Sequence, residues 1–273
     1  MTGIDQATGD PYQRIAEYYD LEHDVVEDDI ELYVAIADQV DGPVLEVGCG
    51  SGRLLVPLAD AGHNVTGLDR SRAMLDRARN RLLGAGYAGT RVTLFHGDMV
   101  EPQAAPGGPF GLVLFSLNAL MHLPDAAAQV AALTAARQAM LPHGQVVADV
   151  MNPTPQYLLE LGRGVLHEWA LDLDEGVHID KWSLRSIDPV GQTIGTTLWY
   201  DHLDEHGGLT RTRTEFDLRY VHVSELVLMF RLAGFEDIRV FGSLDLAPVD
   251  ESSERILVIA GASGFNEGEE PGG

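Results

Sequence analysis

Lysine is almost missing from this chain. Lys181 stands alone among 18 basic residues, against 42 acidic ones, and the formal net charge is −24. Such a field repels a phosphate backbone, whose binding needs clustered Lys and Arg, so no nucleic-acid partner is expected. Arg70, Arg72, Arg77, Arg79 and Arg81 do gather in one segment, where a solvated helix face accounts for them. Cysteine is equally scarce: Cys49 is the only one, which excludes an intramolecular disulfide. No run approaches the ~20 apolar residues of a membrane span. The first residues, Met1 to Gln6, have neither a basic start nor an apolar stretch of the signal-peptide kind. A cytoplasmic protein without a membrane partner is therefore expected. Metal-ligand spacing is missing as well. His63, His96, His143 and His167 are isolated, and His202 and His206 are spaced H-x-x-x-H across a turn rather than along a helix face, so no metal is expected.

What is present is a chain of 273 residues, 45% apolar, long enough for one large domain or one domain with an inserted lid. Residues 1–40 read as an N-terminal helical cap with two apolar stripes, Tyr12/Ile15/Tyr18/Tyr19 and Ile30/Tyr33/Ile36/Ala37. Residues 41–152 alternate strand and helix. Strands are predicted near 43–47, 64–69, 91–96, 110–116 and 145–151, and helices near 52–62, 71–84 and 125–140. That alternation implies a parallel sheet covered on both faces. After Pro153 the period changes. Residues 153–220 are rich in β formers and broken by turn signals at 174–176, 188–191 and 205–208, which predicts an antiparallel meander of about four strands. Residues 221–262 return to one helix, stopped at Gly234, and a terminal hairpin of the main sheet. Residues 263–273 are rich in Gly and Glu, and are read as a disordered tail.

The densest signal lies at 43–53, Pro-Val-Leu-Glu-Val-Gly-Cys-Gly-Ser-Gly-Arg. A buried strand runs into Gly48, Gly50 and Gly52, and an amphipathic helix begins at once. Glycine lets a ligand lie directly on the main chain, and the free N–H groups of a helix start attract acceptors or anions. The next strand ends in Asp69, an acceptor placed for a ribose diol. A dinucleotide fingerprint would be G-x-G-x-x-G; here the third glycine comes one position early. With Glu46 two residues before Gly48, and with Gly97-Asp98-Met99 and a fourth strand at 110–116 following in order, the stretch resembles the class I S-adenosylmethionine-dependent methyltransferases. The resemblance implies a Rossmann-like, seven-stranded, mainly parallel sheet with helices on both faces, the meander forming a lid. It implies S-adenosyl-L-methionine as cofactor, held by Glu46, Gly48, Gly50, Gly52, Asp69, Arg70, Asp98, Met99 and Phe115. More loosely, the N-terminal Tyr-Asp segment, the His122 region and the insertion resemble a subgroup of small-molecule N-methyltransferases, among them enzymes of amino sugars. That suggests a small-molecule methyl acceptor, taken by a monomer or homodimer.

Methyl transfer from a sulfonium is an in-line displacement, so the protein mainly aligns the nucleophile and excludes water. A base is needed when the nucleophile arrives protonated. His122, after the fourth strand, suits a proton acceptor near neutral pH, and Tyr19 can touch the donor cation or orient the acceptor. These two are the catalytic candidates. Each could equally be a packing residue. An amine acceptor is the leading expectation. An O-methyltransferase with His122 as base and a non-catalytic S-adenosylmethionine-binding protein are the alternatives. In Thr210–Tyr220 the even positions are apolar or small and the odd ones charged, so the even face should look inward over the site. The acidic lid positions Asp172, Asp174, Glu175, Asp201, Asp204 and Glu205 read as surface.

Overall fold

The structure, a computed structural model, describes residues 9–87, 89–173 and 176–261. Asp174, Glu175 and the tail at 263–273 lie outside the described residues. In chain order the elements are α1 (Ala16–His23), α2 (Ile30–Ala37), β1 (Val44–Val47), α3 (Leu55–Asp60), β2 (Val65–Asp69), α4 (Arg72–Gly84), β3 (Val92–His96), β4 (Phe110–Phe115), α5 (Ala126–Ala139) and β5 (Met140–Met151). There follow α6 (Pro155–Leu161), β6 (Val165–Asp172), β7 (His178–Asp188), β8 (Thr193–Leu203), β9 (Leu209–Arg219), α7 (Val223–Leu232), β10 (Asp237–Phe241) and β11 (Arg255–Gly261). Short 3₁₀ turns occupy Pro102–Ala104 and Ala119–His122.

One sheet has seven strands in the order β10-β11-β5-β4-β1-β2-β3. Pairs from β3 to β5 run parallel, while β11 is antiparallel to both β5 and β10. This is the Rossmann-like arrangement. Every residue of β1 and β4 is buried, as a central parallel strand covered on both faces requires. One apolar cluster lies on the α5/α7 side, around Val113, Phe115, Leu133 and Phe230. A second lies on the α2/α3/α4 side, around Tyr33, Leu55, Leu58 and Leu112. Strand order reverses between β2-β1 and β4-β5, which opens a crevice beyond the carboxyl end of β1. Side-chain caps fix two of the helices that follow strands. Ser71 Oγ accepts from Met74 N–H at 3.2 Å at the start of α4, and Asp125 from Ala128 N–H at 2.8 Å at the start of α5.

The insertion forms a separate antiparallel sheet, β6-β7-β8-β9. Its inner face carries Ile179, Leu198 and Tyr200 onto Ile15 and Tyr18 of the N-terminal segment, with the Tyr18 and Tyr200 rings stacked at 4.5 Å. Lys181, only 3% exposed, pairs there with Glu22 of α1, which also accepts from the Tyr200 hydroxyl at 3.4 Å. Most of the even face of β9 therefore packs; Phe216 reaches the crevice. The alternation fails at Arg219, an odd position that is buried. Its guanidinium donates to Gln129 Oε1 at 2.7 Å and Glu225 Oε1 at 2.6 Å, acceptors brought from α5 and α7, and these draw it inward at the end of β9.

Three further features depart from the sequence reading. Residues Pro155–Leu161 form α6 behind a Thr154 cap. Strand β5 begins at Met140, directly from α5. Tyr12 lies ahead of the first helix, in a turn, rather than on a helical stripe. Among the described residues no helix is long and apolar enough to cross a membrane.

Candidate active site

The chain leaves β1 at Val47 and turns through Gly48 and Gly50 with φ of 78° and 53°. The N–H groups of Gly48 and Cys49 both donate to the Leu68 carbonyl, at 2.8 and 2.9 Å, which ties the loop to the end of β2. Asp69, the last residue of β2, completes the tie. Its Oδ2 accepts from Gly50 N–H and its Oδ1 from Ser71 N–H, each at 2.8 Å. Burial pushes its carboxyl up, against the pull of those two amides.

Glu46 is 3% exposed. Its Oε1 accepts from the Ser116 hydroxyl at 2.9 Å, while Oε2 is buried with no hydrogen-bond partner. Burial raises its carboxyl to about 8. Arg53, at the end of the loop, grips Asp29 through two bonds of 2.6 Å and the Val26 carbonyl at 2.7 Å. Asp29 is fully buried, so this pair locks the approach to α2 onto the glycine loop.

Above the loop lies a cavity of about 420 Å³. Its roof is aromatic. Tyr12 sits among three rings, with centroids 5.8 Å from Tyr19, 5.6 Å from His122 and 5.7 Å from Phe216. The Tyr12 hydroxyl lies 3.1 Å from His122 Nε2. The strap carrying Tyr12 is held by Thr214 Oγ1 donating to the Pro11 carbonyl at 2.6 Å, and by the Ser71 hydroxyl donating to Asp10. Burial, aided by the Arg70 charge, lowers His122 to about 4. Tyr12 and Tyr19 are pushed the other way by burial and neighbouring negative charge, including Asp69.

Of the residues singled out in the sequence, the cavity brings together Tyr19, Glu46, Gly48, Gly50, Asp69, Arg70, Met99 and His122. Three stand elsewhere. Gly52 has φ of 80°, and a Cβ there would lie 3.1 Å from Ala78 Cβ; its place is the contact of the loop with α4. Phe115 is fully buried in the core cluster on the α5 side, not on the cavity. Asp98 is exposed, its Oδ1 accepting from Val100 N–H at 3.1 Å, and only its neighbour Met99 reaches the wall. The sequence reading missed Asp10, Tyr12, Arg53 and Ser116. For Ser116 a signal existed: β1 and β4 are neighbours with Glu46 opposite Leu114, so Ser116, two positions on and just past β4, lies on the same side as Glu46. His202 Nδ1 lies 3.4 Å from the Tyr18 hydroxyl while His206 is exposed, and among the described residues no cluster could hold a metal ion.

The buried, unpartnered Glu46 oxygen suits a cation. The bare Gly48–Gly50 backbone admits a flat ligand, and Asp69 offers a carboxylate at the end of β2. These groups fit S-adenosylmethionine, a nucleoside with a cationic tail. Comparison with known proteins agrees. Residues 44–144 match the family model described as a methyltransferase domain. A ubiquinone biosynthesis O-methyltransferase of Alkalilimnicola ehrlichii is 30% identical over 190 residues, 66% of this chain and 73% of that protein. Another, of Aromatoleum aromaticum, is 38% identical over 109 residues, and there the chain spans only 44% of the relative's length. The solved structure of the CcbJ methyltransferase from Streptomyces caelestis superposes with a TM-score of 0.75 at 25% identity, covering 94% of this chain and all of that one. The chain belongs to the S-adenosylmethionine-dependent methyltransferases.

Proposed function

We propose that this methyltransferase acts on a small molecule and places the methyl group on an amine nitrogen, by alignment and exclusion of water rather than by proton abstraction. The observation that carries the reading is His122. Its imidazole stands 3.1 Å from the Tyr12 hydroxyl in the aromatic roof, and burial lowers it to about 4. An imidazole held down by burial is a weak acceptor for the proton of a phenol, whose pKa is ~10. A neutral amine needs no such transfer before attack. When bound, S-adenosylmethionine supplies an electrophilic methyl whose sulfur departs as a neutral thioether. The chain's own part is to hold the ligand and dry the site. Asp69 would accept from the ribose hydroxyls, Glu46 would receive the ammonium of the tail, and Met99 would border the adenine. Tyr12, Tyr19 and Phe216 wall the reacting centre; aromatic faces attract the positive charge shared between sulfur and nitrogen in the transition state.

A second reading has specific support. The relatives named above are O-methyltransferases by name, and a Tyr12–His122 hydrogen bond stands in the site. The variant His122→Ala separates the two. With an amine acceptor, turnover should fall less than about tenfold, since alignment dominates. With a hydroxyl acceptor relying on His122, it should fall by about 10²–10⁴-fold. Turnover against pH adds a check. With an amine the rate should climb towards the amine's own pKa, with no inflection between pH 6 and 7 from His122.

Glu46 yields an expectation of its own. With its carboxyl at about 8 in the free protein, it is protonated at pH 7. A cationic ligand drives it to ionise, so binding releases a proton and affinity rises as pH approaches 8, then levels off. Calorimetry of S-adenosylhomocysteine at pH 7, in buffers of different ionisation enthalpy, should show release of nearly ~1 proton. Glu46→Gln should abolish that release. Identical heats in all buffers for the wild type would remove Glu46 from the ammonium.

A further inference from the structure

A second cavity, of about 740 Å³, opens on the other side of the segment that leaves β4. Leu117 lines both cavities. It and Asn118 have φ of 43° and 65°, a region non-glycine residues occupy where their surroundings hold them. Asn118 is so held. Its N–H donates to the Asp149 carbonyl at 2.9 Å, and its Oδ1 accepts from Met151 N–H at 2.6 Å.

The walls of this cavity are polar and built. Asp149, 3% exposed, accepts from Arg255 Nη1 at 3.1 Å and from the Tyr33 hydroxyl at 3.2 Å. Asn152 Nδ2 donates to the Ser253 carbonyl at 2.9 Å. Each contact engages one end of its group. Among the described residues, the Asn118 amide nitrogen, the Asn152 amide oxygen and the rest of the Arg255 guanidinium take no further side-chain partner, and Tyr157 and Glu254 line the same cavity. Donors and acceptors thus line one space. Hydroxyl groups, which both donate and accept, match such walls, whereas an apolar ligand would desolvate them without return.

We propose that the second cavity holds the remote part of the methyl acceptor, a hydroxyl-bearing ring or chain, while the reactive amine passes Leu117 into the donor cavity. The proposal rests on the nitrogen reading above for the identity of the reacting atom. A site built to hydrogen-bond hydroxyls discriminates strongly against an analogue that lacks them.

The test uses D-glucosamine, an amine on a hydroxylated ring, and cyclohexylamine, an amine on a bare ring. Each is titrated by calorimetry into the full chain loaded with S-adenosylhomocysteine. Glucosamine should bind at least about tenfold more tightly, a preference worth one or two hydrogen bonds. The paired change Tyr157→Phe/Glu254→Gln, at exposed and isosteric positions, should remove most of that preference and leave S-adenosylhomocysteine affinity unchanged. Asn152→Leu, checked by melting for retained fold, should do the same. Equal binding of the two amines, or a preference that survives these variants, overturns the proposal. Turnover with S-adenosylmethionine separates the two layers. Amine methylation with a variant-insensitive preference keeps the nitrogen reading and removes the second cavity. Variant-sensitive glucosamine binding with methyl transfer to hydroxyls alone keeps the cavity and removes the nitrogen.

Discussion

Replacing Arg53 by alanine should lower the stability of the protein by about 3–5 kcal/mol, the effect of stranding a buried carboxylate. Asp29 is fully buried, and Arg53 supplies both of its 2.6 Å bonds. For a domain of this size that is a fall of roughly 6–20 °C in the melting midpoint. The paired replacement Arg53→Met/Asp29→Leu should recover much of the loss, because it removes both charges together. Thermal melts of the three proteins decide this. A fall below about 1 kcal/mol for Arg53→Ala would mean that water reaches Asp29 and that the pair is a surface one. The same variant should bind S-adenosylhomocysteine more weakly, since the pair anchors the loop that carries Gly48 and Gly50.

Asp69→Ala should weaken S-adenosylhomocysteine binding by roughly 10–100-fold. Charge-assisted bonds from a carboxylate to two ribose hydroxyls are worth about 1.5–3 kcal/mol. The loop suffers as well, because Gly50 and Ser71 lose the acceptor for their N–H groups. Calorimetry on the folded variant gives the answer, and an unchanged Kd would take Asp69 off the ribose. Asp98→Ala should change affinity only about twofold, as suits an exposed carboxylate outside the cavity.

The difference between Asp69 and Asp98 reflects what a sequence can carry. Asp69 belongs to a local grammar: a strand, three glycines, a helix and a second strand within some 25 residues, each dictated by backbone chemistry. That grammar brings Glu46, Gly48, Gly50 and Asp69 onto one cavity, and strand–helix alternation made the sheet legible. Gly52 was misjudged because a glycine with positive φ looks the same in sequence whether it faces a ligand or, as here, Ala78. Phe115 was misjudged for another reason. All of β4 is buried, so its pattern has no period from which to choose a face. Tyr12 and His122 lie 110 positions apart, and nothing local in either announces the 3.1 Å contact between them. Arg219 followed the alternation rule on paper and broke it in the fold, because Gln129 arrives from the distant helix α5 and joins Glu225, six positions on in α7, as an acceptor. Local regularities report which face is apolar, not which remote acceptor will bury a charge.

The central claim, methyl transfer to a small-molecule amine without a protein base, is tested most directly by following the methyl group. The protein is incubated with methyl-labelled S-adenosylmethionine and a matched set of amines and phenols, and the labelled atom is located by mass spectrometry. The account expects label on nitrogen, with a rate that rises with pH and survives His122→Ala within about tenfold. Label on a phenolic oxygen, lost by two or more decades in His122→Ala, would contradict it.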